Sequence, residues 1–189
     1  MTSQPPYGPT AKALHWGTAA LLALQILVGW LMPDIKRGMS PGAAMSLHLS
    51  IGAPILALVV ARYLWRFARP VPLTPTGPAW QRGAAEAVHL MLYGLVLATA
   101  LTGWAYASMR GWPVTLLGIV PLPALVAQGS ELGRTIGHLH GPLVWALLTM
   151  IGAHVGAALV HRFVYRDAVL DRMLPAARRR PIEALSQRA

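Results

Sequence analysis

HLHGPLVWALLTMIGAH, residues 138–154, carries three histidines and not one Asp, Glu, Lys or Arg. The charge-free interval around it runs from Thr135 to His161. That exceeds the roughly 20 helical residues needed to cross a bilayer. Ionisable side chains inside such a span are costly and as a rule mark a functional pathway. The fold therefore follows from the apolar length of this segment, and the function from its histidines.

The whole chain has the same character. Of its 189 residues 55% are apolar and only 12% charged, with a mean hydropathy of +0.50. Soluble domains carry about a quarter charged residues, so this chain cannot clothe a globular surface and reads as a membrane protein. Its net charge of +10 sits in the gaps between apolar runs rather than on one face among stacking aromatics, which argues for membrane topology and against nucleic-acid binding. Cysteine is absent, which excludes disulfides, thiolate metal sites and covalent c-type haem. The N-terminus, with Lys12 before the first apolar run and no small-residue cleavage site, reads as retained chain.

Charge-free intervals at Ala13–Pro33, Gly38–Ala61, Ala87–Met109 and Thr135–His161 predict four spans, with helices over about 13–33, 42–67, 84–108 and 135–165. The expected fold is all-α: a single domain forming an antiparallel four-helix membrane bundle. A fifth apolar interval, residues 111–130, contains Pro113, Pro121 and Pro123. Proline costs about 3 kcal/mol inside a helix, so this stretch is expected to be an apolar loop on the membrane surface. Of the 16 Lys and Arg residues, all but Lys36, Arg37, Arg110 and Arg134 fall on the side of the two termini. The positive-inside rule then predicts cytoplasmic termini, and the basic C-tail 166–189, with its Arg178–Arg180 run, reads as an anchor to anionic lipid.

All seven histidines lie in or at the edge of the spans: His15, His48, His89, and His138, His140, His154 and His161 on the last. At about 100° and 1.5 Å per residue, His140 and His154 lie about 40° from eclipsed and about 21 Å apart along one helix. His161 falls within about 20° of the same face, whereas His138 is turned about 160° from His154. Two ligands on one face at two depths suit two haems stacked in a bundle, each taking a second histidine from another helix. Gly141, Gly152 and Gly156 beside those ligands would leave room for a flat macrocycle. The second and last helices enter from the same outer side, so His48 and His140 are expected to share the outer haem. At the inner level His15 and His89 each follow a flank charge by three residues, and either can meet His154.

The chain resembles the prokaryotic cytochrome b561 family over nearly its whole length. The likeness is carried by YGPTAKALHWG, by HLSIG with the exit ARYLWRFARPVP, by AEAVHLMLYGLVLATALTGW, and by HVGAALVHRFVYRDAVLDRMLP. The resemblance implies a di-haem b cytochrome of the bacterial inner membrane, with His15 and His154 on the inner haem and His48 and His140 on the outer. It leaves His89 and His161 as candidates for a ubiquinone pocket, with ubiquinone as acceptor or donor; the alternative for His89 is that it replaces His15 as ligand. One member type acts as superoxide oxidase, passing an electron from superoxide outside to ubiquinone, which makes Arg110 and Arg134, with Lys36 and Arg37, the cations available to draw in an anion. Trp112 beside Arg110 reads as an aromatic-belt residue. Two other functions fit: a cytochrome b anchor relaying electrons for a periplasmic redox partner such as a dehydrogenase or hydrogenase, and a haem-free bundle handling metal ions or protons.

Overall fold

The computed structural model describes residues 7–36, 38–69 and 78–175. Arg37, the Arg178–Arg180 run with most of the basic tail, and the centre of the proline-rich connection lie outside the described residues.

Four long apolar elements, each long enough to cross a membrane, dominate the chain. Helix α1 spans Pro9–Leu31, four residues earlier than the charge-free interval suggests. Pro9 occupies the first helical turn, where its fixed φ and missing N–H do no harm. Helix α2 spans Ala43–Ala68 and α3 spans Ala79–Met109. The fourth span is divided into α4 (Glu131–His138), α5 (His140–Val160) and a π-helical turn (His161–Tyr165), followed by the short α6 (Val169–Met173). Ser130 caps α4 by accepting from the Gly133 amide. The division at Leu139 has a local cause: Pro142 cannot donate to the His138 carbonyl four residues back, so the ladder is interrupted there.

Helix α1 packs on α2, α2 on α3, and α3 on both α4 and α5. Tyr7 and Arg172 meet through a backbone hydrogen bond of 3.3 Å, so the described beginning and end of the chain lie at one end of the bundle. An apolar cluster of Val28, Ile51, Ile55, Val59, Val96 and Leu147 joins α1, α2, α3 and α5. Around it the surface is also apolar, with Phe67 82% and Trp145 67% exposed. Water would penalise such a surface, whereas lipid accepts it because the helices satisfy their own backbone hydrogen bonds.

The expected surface loop is instead a folded cap. Thr115–Leu116 (β1) pairs antiparallel with Val120–Pro121 (β2), and β1 packs on α2. Gly118, with φ +71°, and Leu117, with φ +54°, make the turn. Trp112 is no belt residue: it is only 8% exposed, packs with Ala53, Ala107 and Val114, and donates from Nε1 to the Met39 carbonyl at 3.2 Å. A tryptophan so placed satisfies its one donor while filling the joint between the cap and the bundle.

Candidate functional site

Six of the seven histidines are half-buried: His48 and His140 meet at one end of the bundle, while His15, His89, His154 and His161 lie at the other. His138, at the last position of α4, is exposed.

At the hairpin end, His48 of α2 faces His140 of α5 with ring centroids 6.3 Å apart. The His140 Nδ1 lies 2.9 Å from the Thr99 carbonyl of α3. A carbonyl only accepts, so Nδ1 carries the proton and Nε2 presents its lone pair. This is the usual way a ligating histidine is oriented. The same carbonyl accepts from the Thr102 hydroxyl at 3.0 Å. His140 reaches it because position 103 is glycine: a Cβ there would stand 2.8 Å from Cε1 of the imidazole. His48 is backed by Gly29 of α1 at a looser 3.6 Å, and its carbonyl accepts from Gln25 Nε2 at 3.0 Å. Both rings line one open pocket, together with Gly52, Ala53, Ala100 and Gly103.

At the end where the described termini meet, His15 of α1 and His154 of α5 also have centroids 6.3 Å apart. His89 of α3 lies closer to His154, at 5.2 Å, and its Nδ1–H donates to the Ala85 carbonyl at 2.5 Å. An imidazole nitrogen sits about 2 Å from a transition metal. With about 1 Å from that nitrogen to the ring centre, two imidazoles trans on one iron have centroids about 6 Å apart. His48 with His140 and His15 with His154 stand near the spacing that two imidazoles sharing one iron would need, and His89 stands about 1 Å nearer to His154 than that. The Nδ1 atoms of His15 and His48 are buried without a protein hydrogen-bond partner. Imidazoles collected in an apolar interior, with small residues lining the pocket beside one pair, are a donor set that fits haem iron.

His161 belongs to the same end but not to the same cluster. It opens the π-helical turn, and its Nδ1 lies 2.6 Å from Oδ2 of Asp167. Arg166 between them adopts the left-handed conformation, φ +52°, which turns the chain back so that Asp167 can reach the ring. Arg162 pairs with Asp171 at 3.1 Å, and α1 is fastened to this corner by Lys12 Nζ on the Leu174 carbonyl and Trp16 Nε1 on that of Met173.

Two of the expected outer cations, Arg110 and Arg134, are engaged. Arg110 stacks 4.5 Å over Trp112, donates to the Lys36 carbonyl at 2.5 Å and approaches the Tyr106 hydroxyl at 3.4 Å. Arg134 pairs with Glu131 at 3.4 Å on an exposed surface. The glycines at 141, 152 and 156 have nothing within 4 Å of an added Cβ, so they leave open space. Residues that sequence reasoning passed over are Thr99, Thr102, Gly103, Gln25 and Asp167. A glycine in the middle of an apolar helix and an acid in a basic tail were the available signals for two of them.

Residues 6–176 match the family described as prokaryotic cytochrome b561. The chain belongs to the prokaryotic cytochrome b561 family. It is therefore a membrane electron-transfer protein of a haem b type, which weighs against a haem-free bundle. Among relatives of this cytochrome, cytochrome b561 homolog 2 of Escherichia coli (strain K12) is 32% identical over 170 residues, covering 89% of this chain and 90% of that protein. Cytochrome b561 homolog 1 of the same organism is 32% identical over 173 residues, covering 89% and 97%. A protein named "Probable superoxide oxidase CybB" from Yersinia pestis is 29% identical over 170 residues, covering 87% and 93%.

Proposed function

We propose that this cytochrome holds two haems b, one on His48 and His140 and one on His15 and His154, and carries electrons from superoxide to ubiquinone. The observation that carries the reading is the equal spacing of the two histidine pairs, 6.3 Å each, with one member of each pair on α5. Haem supplies reversible one-electron chemistry at each level. The chain's part is to hold the imidazoles, keep water out with the Val28–Leu147 cluster, and set charge and hydrogen bonds around them.

The reaction balances as two superoxide ions giving two dioxygen molecules and two electrons, while one quinone takes up two electrons and two protons to become quinol. The positive-inside count supports cytoplasmic termini in a bacterial inner membrane. This puts the hairpin end outside and the His161–Asp167 pair inside. Arg110 and Arg134 then stand on the side where an anion arrives, Arg110 as a held charge near Trp112 and Arg134 partly offset by Glu131. His161, aimed by Asp167, and His89, aimed by the Ala85 carbonyl, are the imidazoles placed to hydrogen-bond a quinone and exchange its protons. The Yersinia relative's name supports the superoxide assignment.

The test is consumption of superoxide by the purified full-length protein with and without a soluble ubiquinone. Quinone-dependent consumption supports the reading; two reducible haems with no turnover would refute the oxidase while leaving the cytochrome. A second reading, an anchor subunit for a soluble redox partner, draws on the apolar tip of the cap, where Leu117 and Ile119 are 69% and 80% exposed. A redox protein co-purifying in stoichiometric amount would favour it.

A further inference from the structure

Arg62 is counted among the flank charges when the sequence is read, yet its side chain is half-buried in α2 beside the inner histidines. Its guanidinium carbon lies 5.5 Å from the centre of the Tyr93 ring. Tyr93 stands one turn after His89 on α3, and His89 lies against His154, which in turn faces His15, so Arg62 stands at the level of the inner histidines. Its remaining charged neighbour is another cation, Arg66. Among the described residues it has no carboxylate within ion-pair distance: Glu131, Asp167 and Asp171 serve Arg134, His161 and Arg162, and neither Asp34 nor Glu86 pairs with it. A cation held inside a spanning helix without a counter-ion is expensive. Packing against Tyr93 helps, because guanidinium stacks well on an aromatic face, but it supplies no negative charge.

We propose that Arg62, braced on Tyr93, is an oxyanion-binding site at the inner end of the bundle, completed by the ligand held among His15, His89 and His154. Its fork of N–H donors matches a carboxylate or a single anionic oxygen. Two ligands carry that chemistry: a haem through its propionate carboxylates, and a quinol through the oxygen that becomes anionic on reduction. The proposal rests on the reading that this end holds a haem on His154.

The test uses the full-length protein in lipid nanodiscs. Wild type and Arg62→Gln are compared for haem content, the midpoint potential of each haem and the KM for a soluble ubiquinone. If the partner is propionate, Arg62→Gln keeps both haems and lowers the inner potential, since loss of a positive charge favours the oxidised iron. The expected size is tenfold in the oxidised-to-reduced ratio, about 59 mV for one electron, with the outer potential unmoved. If the partner is a quinol oxygen, the inner potential holds within about 18 mV, twofold in the oxidised-to-reduced ratio, and KM rises at least tenfold. In either case Arg62→Lys recovers part of the loss. Both haems present, with the inner potential within about 18 mV and KM within twofold of wild type, overturns the proposal and makes Arg62 an ordinary interfacial cation. Should Arg62→Gln not assemble, Tyr93→Leu, which removes the brace, is read in the same way: a shift of about 28 mV or more in the inner potential, threefold in the oxidised-to-reduced ratio, or a threefold or larger change in KM is expected, and the absence of both overturns the proposal. Failure of the underlying reading looks different, because His154→Ala would then leave the wild-type haem content intact.

Discussion

Gly103→Ala places one methyl group where the structure has no room for it. The added Cβ would lie 2.8 Å from Cε1 and 3.0 Å from Nδ1 of His140, against an ordinary contact of about 3.5 Å or more. The imidazole must retreat from α3 by about 0.7 Å. Thr99 sits one turn before Gly103 on the same helix, so the retreat lengthens the 2.9 Å bond from Nδ1 to the Thr99 carbonyl to about 3.6 Å, which is no longer a hydrogen bond. The loss is about 1 kcal/mol for the bond, with a further 1–3 kcal/mol or so for overpacking. A ligand imidazole that donates from Nδ1 is more basic and favours the oxidised metal. An outer haem that survives the substitution should therefore rise in midpoint potential by roughly 40 mV, the equivalent of about 1 kcal/mol for one electron. Gly29→Ala is the matched control, because its Cβ would meet the His48 ring at an ordinary 3.6 Å. Redox titration followed by visible absorbance, with haem content of each variant, reads both effects. Gly103→Ala retaining both haems, with an outer potential within about 10 mV of wild type, refutes the reasoning from close contact.

Other substitutions probe the remaining parts. His48→Ala or His140→Ala should lose one haem and His154→Ala the other, by pyridine haemochrome content, while His138→Ala keeps both. His15→Ala should cost the inner haem and His89→Ala should keep it, since only the former stands 6.3 Å from His154; the reverse result would make His89 the ligand. Asp167→Asn removes the charge from the 2.6 Å partner of His161 and should raise the KM for ubiquinone about tenfold, the worth of about 1.4 kcal/mol for a charge-assisted bond, with both spectra unchanged. Trp112→Ala empties the joint beneath the cap and should destabilise the fold by about 3–5 kcal/mol, measured as a fall in thermal midpoint in detergent.

The four long helices were legible because a helix in lipid must be apolar for a fixed length, and charge-free intervals report that length directly. The angular separation of His138 from His140 and His154 was legible for a related reason: helical geometry is local. What escaped reading depends on contacts between distant segments. Nothing near Gly103 announces that an imidazole 37 positions later will lie against it, and Arg62 looks like any basic residue at a helix exit until Tyr93 is set beside it. The cap over residues 111–130 was hidden differently. Its prolines exclude a helix, but only the packing of β1 on α2 and the burial of Trp112 distinguish a folded hairpin from a surface loop. The reach of Asp167 to His161 needs both a π-helical turn and a left-handed arginine, neither of which has a local signature here.

The histidines of α5 have a consequence for how the protein is made. Each proposed iron site takes one ligand from α5, the last of the long helices to leave the ribosome, and the other from α1 or α2, which are inserted early. A nascent chain stopped after α3 therefore has three imidazoles in the membrane and neither pair complete. On this reading cofactor loading is a late event in biogenesis, and a chain truncated before His140 should be inserted yet colourless.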